Sequence, residues 1–340
     1  MQMASRSGRW NRSCIEIRKM STDLPHKIVW AVDPFCEECT LVKQTARAVS
    51  VLATQWNAAV EPVYILGGVP PNVRLLPTLI QDVQAQAQTE LRYLTRGIPI
   101  PQLADVRLIA GLNSQLRAQA ADLIAYAKKS RADSIAVGTR ARTGLKRWLI
   151  GSFAETLILE SDVPLFIINP RESIPERIHQ ILFPTDFSER SKAAFKRVIR
   201  FAKEVQAELT VFHKIRYELT PAVEVAFGAY PSYKHLFQEE ILAKETEANA
   251  WATQAENEGI QTDSVVDYRT DGSVAQAILG ISKRRGGMIA MAAHSGPLAS
   301  ALLGSLTRQV VRSSSSPVWV IHTEQKAEPR GAEAAAAKAR

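Results

Sequence analysis

One spacing recurs at both ends of this chain. HKIVWAVD begins at His26 and HQILFPTD at His179; GSFAETLILESDVPLFII begins at Gly151 and GSLTRQVVRSSSSPVWVI at Gly304. Each pair is offset by 153 residues, so that Asp33 falls on Asp186, Ser152 on Ser305 and Pro164 on Pro317. Anchors that keep one offset at both ends mark a duplication, and a duplicated chain of 340 residues is expected to fold as two like domains. The units are expected at 26–169 and 179–323. Between them NPRESIPER, with two prolines and four charges, reads as a linker over 170–178.

Each unit alternates short apolar runs with helical patterns. In the first, KIVWAV, PVYIL, VRLIAG, SIAVG and PLFII read as strands. Segments 39–56, 78–95, 114–130 and 153–160 carry apolar residues three and four apart, the spacing of a helix with one buried face. The second unit repeats the order with ILFPT, LTVFHKI, SVVDYR, MIAMA and VWVIH, and its longest helical pattern covers 236–258, where Ile241, Leu242 and Trp251 read as packing surface. Strand–helix–strand alternation needs crossover connections and a parallel sheet. The expected fold class is α/β: two tandem five-stranded parallel sheets with helices on both faces.

Composition enters as a set of exclusions. No apolar run reaches the ~20 residues of a bilayer span, and no secretory leader is evident, so a cytoplasmic protein is expected. The net charge of +8 hints at nucleic acid, but it is unevenly placed. Within residues 1–20, Arg6, Arg9, Arg12, Arg18 and Lys19 stand against Glu16 alone, and in an Ala-rich tail Lys326, Arg330, Lys338 and Arg340 stand against Glu324, Glu328 and Glu333. Charge confined to arms reads as solvated, and no nucleic-acid or membrane partner is expected. Residues 1–25 read as a disordered arm or a mis-assigned start, with Met20 opening MSTDLPHKIVWAVD, and 324–340 as a flexible tail.

The stretch VGTRARTGLKRWLIGS, residues 137–152, leaves the fourth strand of the first unit. In an open parallel sheet, ligands bind beyond the carboxyl ends of the strands where strand order reverses. Glycines let backbone N–H groups approach phosphate oxygens, and a helix starting at Gly151 and Ser152 directs its free N–H groups to the same place. Arg140, Arg142, Lys146 and Arg147 add positive charge. The alternative is that the glycines permit a turn and Ser152 caps a helix.

The pattern Gly-x2-Gly-x9-Gly-Ser/Thr, a short helix and a final strand opened by proline resemble the nucleotide signature of the universal stress protein family. The chain resembles its tandem members over nearly the whole of 26–323. The resemblance implies strand order 3-2-1-4-5 in each half, with the two fifth strands meeting across a pseudo-twofold axis as an internal pseudo-dimer. It also implies ATP as the candidate cofactor, since family members divide into ATP binders and non-binders. Carried onto the first half, the signature falls on Gly138, position 141, Gly151 and Ser152, with Asp33 as the aspartate near the adenosine and Arg140 beside the loop. Position 141 is Ala141, not glycine, and Pro34-Phe35 replaces the usual sequel of Asp33. The second half departs the other way. Pro184, Thr185 and Asp186 suit an ATP binder, as do Gly304, Ser305 and Thr307, but its loop reads AAHSGP, with Ala292 in place of the first glycine and one residue missing.

Other constellations carry less. Cys36 and Cys39 form a CxxC at a helix start, but two glutamates between them disfavour a redox centre, and a zinc site would need two further ligands. The six histidines show no metal spacing, and neither a nucleophile elbow nor a Walker motif occurs. The expectation is a stress-response regulatory or binding module, with ATP in the first half and further self-association on top of the pseudo-dimer. The alternatives are a nucleotide-independent scaffold for an unknown protein partner, or a slow ATPase relying on Asp33 or Asp186.

Overall fold

The computed structural model describes residues 25–36, 39–70, 77–139, 152–169, 174–215, 232–269, 272–294 and 305–323. The first half runs β1 (His26–Ala31), α1 (Cys39–Trp56), β2 (Ala58–Leu66), α2 (Pro77–Leu94), β3 (Arg107–Ala110), α3 (Leu116–Lys129), β4 (Ser134–Gly138), α4 (Ser152–Glu160) and β5 (Leu165–Ile168). The second repeats it: β6 (Gln180–Pro184), α5 (Glu189–Val205), β7 (Glu208–Lys214), α6 (Ser232–Glu256), β8 (Thr262–Asp267), α7 (Val274–Arg285), β9 (Met288–His294), α8 (Ser305–Ser313) and β10 (Val318–Thr323).

The strand order is β3-β2-β1-β4-β5-β10-β9-β6-β7-β8, which is 3-2-1-4-5 in each half. Within a half every pairing is parallel, while β5 and β10 pair antiparallel. The two sheets expected from the sequence are therefore one ten-stranded sheet. The fifth strand of each half would otherwise present bare N–H and C=O groups, and pairing the two edges satisfies both. Trp319 lies opposite Phe166, Val318 opposite Ile167 and Val320 opposite Leu165. Phe166 and Trp319 occupy the same place in the repeat, so the pseudo-twofold axis passes between their stacked rings, whose centroids are 5.5 Å apart.

Local chemistry explains the elements. Leu41, Val42, Ala46, Val49, Leu52, Ala53 and Trp56 recur at helical spacing and give α1 one buried face. Ser188 caps α5 by accepting the Ser191 N–H, and Ser273 with Gln276 forms a reciprocal capping box at α7. Strand β2 begins at Ala58, four residues before the PVYIL run that marks it in the sequence. Pro62 stands inside it where its missing N–H would point toward β3, between the Val60–Leu103 bridge and the start of pairing at Arg107. No ladder bond is lost there.

The sheet is covered on both faces. Ile28, Trp30, Phe166 and Trp319 point to the side of α1, α2, α5 and α6, and Val29, Leu165, Ile167 and Val318 to the side of α3, α4, α7 and α8. Each core cluster runs through both halves. On α6, Trp251 packs against Phe183, Phe187 and Phe195, but Leu242 is 64% exposed, contrary to its expected packing role. It lies in the row of Glu245, Thr246 and Asn249, which faces solvent.

Candidate functional site

Strand order reverses between β1 and β4, and there a cavity of about 670 Å³ opens at the carboxyl ends of the strands. Three residues expected from the sequence meet on its wall: Asp33 just beyond β1, Gly138 at the end of β4 and Ser152 at the start of α4. Arg140, Ala141 and Gly151, also expected there, lie outside the described residues, as does Gly304 of the second half. The rest of the wall is largely apolar, with Leu41, Val42, Val63, Ile65, Leu116 and Phe153 among its members.

Each polar group has a local reason for its place. Asp33 Oδ1 accepts the Phe35 N–H at 3.1 Å, which turns the chain sharply after β1 and carries Phe35 over Tyr64. Burial, and then the nearby Asp33 carboxylate, raise the Tyr64 hydroxyl above its ordinary pKa and keep it protonated as a donor. Gly138 is needed for proximity and not for a left-handed backbone. A Cβ there would lie 2.7 Å from both Leu41 Cδ1 and Thr45 Oγ1 of α1. Ser152 opens α4 with its carbonyl accepting the Thr156 hydroxyl at 2.8 Å. Glu155, one turn in, also lines the cavity and accepts a hydrogen bond from Arg308 of α8 at 3.2 Å. Cys36 lines the cavity and is half-buried, Cys39 is exposed, and both are free thiols.

The second half arranges the matching residues differently. Pro184 closes β6. Thr185 Oγ1 accepts the Phe187 N–H at 2.9 Å, and its carbonyl meets His213 Nδ1 at 2.8 Å. Asp186 Oδ1 accepts from the Ser188 N–H at 3.0 Å and the Ser191 hydroxyl at 2.6 Å. Burial works against ionisation of Asp186, but these bonds outweigh it and its pKa falls below the usual carboxylate value. Ser305 opens α8, and Thr307 is buried in its first turn. Lys214 and Asp267, at 5% and 7% exposure, pair at 3.4 Å, and Arg269 clasps Asp267 at 2.9 and 3.0 Å. The bonds from Arg269 lead in holding Asp267 at a pKa of about 2.

Strand register aligns the two sites more closely than the sequence does. Ile28 pairs with Ser134 while Ile181 pairs with Met288, so β9 lies one residue further along the chain from β4 than β6 does from β1. Ala292 is thus the counterpart of Gly138, and the shortening lies between β9 and α8. By the same register Tyr64 matches His213 and Ile65 matches Lys214. Both halves therefore lay a ring from the loop after the first strand, Phe35 or Phe187, on the same position of the second strand. Tyr64 and Glu155 escaped the motif search. A shorter loop in the second half hides the match of Tyr64, and Glu155 reads in the sequence as an ordinary first-turn acid.

Two open parallel half-sheets, each of strand order 3-2-1-4-5, define a tandem doubly wound α/β protein. A family model described as the universal stress protein family matches residues 25–169 and again 177–322. The chain belongs to the universal stress protein family, in tandem form. It is similar to the crystal structure of a universal stress protein from Archaeoglobus fulgidus, with TM-score 0.56 and 17% identity over 88% of this chain and 97% of the other. A functionally unknown protein from Pseudomonas aeruginosa aligns with TM-score 0.53 and 13% identity over 88% and 92%. At these identities the likeness is one of fold. A universal stress protein from Methanocaldococcus jannaschii is 38% identical over 47 residues, which span 14% of this chain and 28% of that protein. Among the described residues no helix is long and apolar enough to cross a membrane.

Proposed function

We propose that the first-half cavity holds an adenine nucleotide, ATP foremost, and that the chain works as a stress-response regulatory module and not as a dedicated enzyme. The observation that carries this reading is the meeting of Asp33, Gly138 and Ser152 on one cavity of about 670 Å³ at the switch point. That volume falls within the usual range for small-molecule sites. The residues fit the parts of a nucleotide. The apolar wall with Val42, Val63 and Ile65 suits a base, and the Asp33 carboxylate suits hydroxyl donors. The start of α4, with Ser152, offers N–H groups to phosphate. ATP would supply a polyanionic group beside that helix end, and the chain's own contribution is to orient it and to bias the surface around the start of α4. The second-half residues Thr185, Asp186, Ser305 and Thr307 form the weaker site, since Ala292 stands there in place of Gly138 and the stretch between β9 and α8 is one residue shorter. Cytoplasmic residence and association of two chains belong to the same proposal.

Purified without added nucleotide, the chain is denatured and any released ligand identified by mass spectrometry; the emptied protein is then titrated with ATP by calorimetry. About one nucleotide per chain is expected. About two would restore the second half to equal rank. A protein that is empty and ignores millimolar ATP would overturn the reading and leave the scaffold as the function. Turnover that needs a divalent metal and is lost in Asp33→Asn would instead make the chain a slow ATPase.

A further inference from the structure

Glu155 puts a negative charge where it would repel a polyanion. It lies in the first turn of α4 and on the cavity wall, the end that the nucleotide reading gives to phosphate. The described lining holds two carboxylates, Asp33 and Glu155, and no lysine or arginine. Glu155 has a counter-charge from the other half of the molecule. Arg308 Nη1 donates to Glu155 Oε1 at 3.2 Å across the pseudo-twofold axis. Residues 155 and 308 are each other's counterparts in the repeat. Identical halves would have set two like charges face to face at this point; the halves have instead diverged to opposite signs, with the acid on the wall of the first-half cavity.

We propose that Arg308 is a positioning residue of the first-half site: it holds and neutralises Glu155, so that the cavity accepts a phosphate-bearing ligand and not only the bare nucleoside. This rests on the nucleotide reading above. The pair is about a third exposed on each side, at 37% and 32%. Exposed ion pairs contribute little to folding. Removing Arg308 therefore changes the field in the cavity more than it changes stability, and the second half becomes part of the first half's specificity.

The test is calorimetric titration of the full chain with ATP and with adenosine at low ionic strength, for the wild type, Arg308→Met, Glu155→Gln and the double variant. Circular dichroism checks that each is folded, and Arg308→Lys serves as a charge-keeping control. Arg308→Met is expected to weaken ATP about tenfold, equivalent to about 1.4 kcal/mol, and to leave adenosine unchanged. Glu155→Gln should abolish that sensitivity, Arg308→Lys should retain most of the ATP affinity, and added salt should narrow the difference. Equal losses for ATP and adenosine would assign Arg308 to packing and overturn the proposal. An ATP loss that persists in the Glu155→Gln background would put Arg308 directly on phosphate and overturn the route through Glu155. A wild type that binds neither ligand removes the nucleotide reading and this inference together. A wild type and an Arg308→Met variant that bind both ligands alike remove the inference alone.

Discussion

Gly138 can be asked which of two jobs it does. A phosphate cradle needs a glycine so that backbone can approach the ligand, whereas tight packing needs one so that a helix can approach the strand. Here the space a Cβ would fill is already taken by Leu41 Cδ1 and Thr45 Oγ1, both at 2.7 Å. Thr45 is buried and its hydroxyl is committed to the Leu41 carbonyl at 2.8 Å, so it does not swing aside freely. Gly138→Ala is expected to cost about 1–3 kcal/mol in thermal or denaturant unfolding, the range for overpacking. Because part of the clash is with Leu41, the Gly138→Ala/Leu41→Ala double variant should lose less than the sum of the two single losses. Additive losses would clear Leu41 of the strain and leave it on Thr45.

Among the elements, β10 carries a buried group that answers to mild acid. His322 is 3% exposed, its Nε2 lies 2.9 Å from the Ile158 carbonyl of α4, and its Nδ1 has no partner. The neutral ring donating from Nε2 meets that geometry. Burial, its largest influence, lowers the His322 pKa despite the carbonyl. Above the unfolded value of about 6.5 the ring is neutral in both states and costs nothing. As pH falls below it, the unfolded chain takes up a proton that the folded chain resists, so stability drops by up to about 1.4 kcal/mol per pH unit until the folded pKa is reached. His213, half-buried and also lowered chiefly by burial, acts in the same sense. Melting temperature recorded from pH 7 to 5 should therefore fall more steeply in the wild type than in His322→Gln. Parallel curves would contradict the assignment.

Elements are also the scale at which the sequence is most readable. Strand and helix periodicity with one duplication spacing sets out β1 to β10 in order, because alternating burial on a two-sided sheet leaves its mark residue by residue. The boundaries of β2 are hidden, because Pro62 reads as a breaker until the gap in β3 pairing shows why it is tolerated. Leu242 misleads for the converse reason: apolar character does not say which row of α6 meets the sheet. The site is half legible. Asp33, Gly138 and Ser152 carry motif chemistry and line one cavity, whereas Tyr64 and Glu155 join them there through strand register and the first turn of α4, which no motif marks.

The whole molecule raises the question of whether its two halves are separate folding units. Both core clusters cross the β5–β10 junction, and Trp56, Phe166, Phe201 and Trp319 form one aromatic group from both halves, with centroid separations of 4.7 to 6.0 Å. Gln55 of α1 adds a polar clasp. It accepts the Ile178 N–H at 2.6 Å and donates to the carbonyls of Ile178 and Val205, while Trp56 donates to Glu204 at 2.6 Å. A half that unfolded alone would strip the β5 or β10 edge bare and expose the aromatic group, so each half is stabilised by the other. Differential scanning calorimetry is expected to give one transition, with calorimetric and van't Hoff enthalpies in agreement. Trp319→Ala, which removes the ring stacked on Phe166 at the axis, should cost about 3–5 kcal/mol and lower that single transition as a whole. Two resolved transitions in the wild type, or a Trp319→Ala variant in which only the second half melts early, would show the halves to be independent domains that share a sheet without sharing stability.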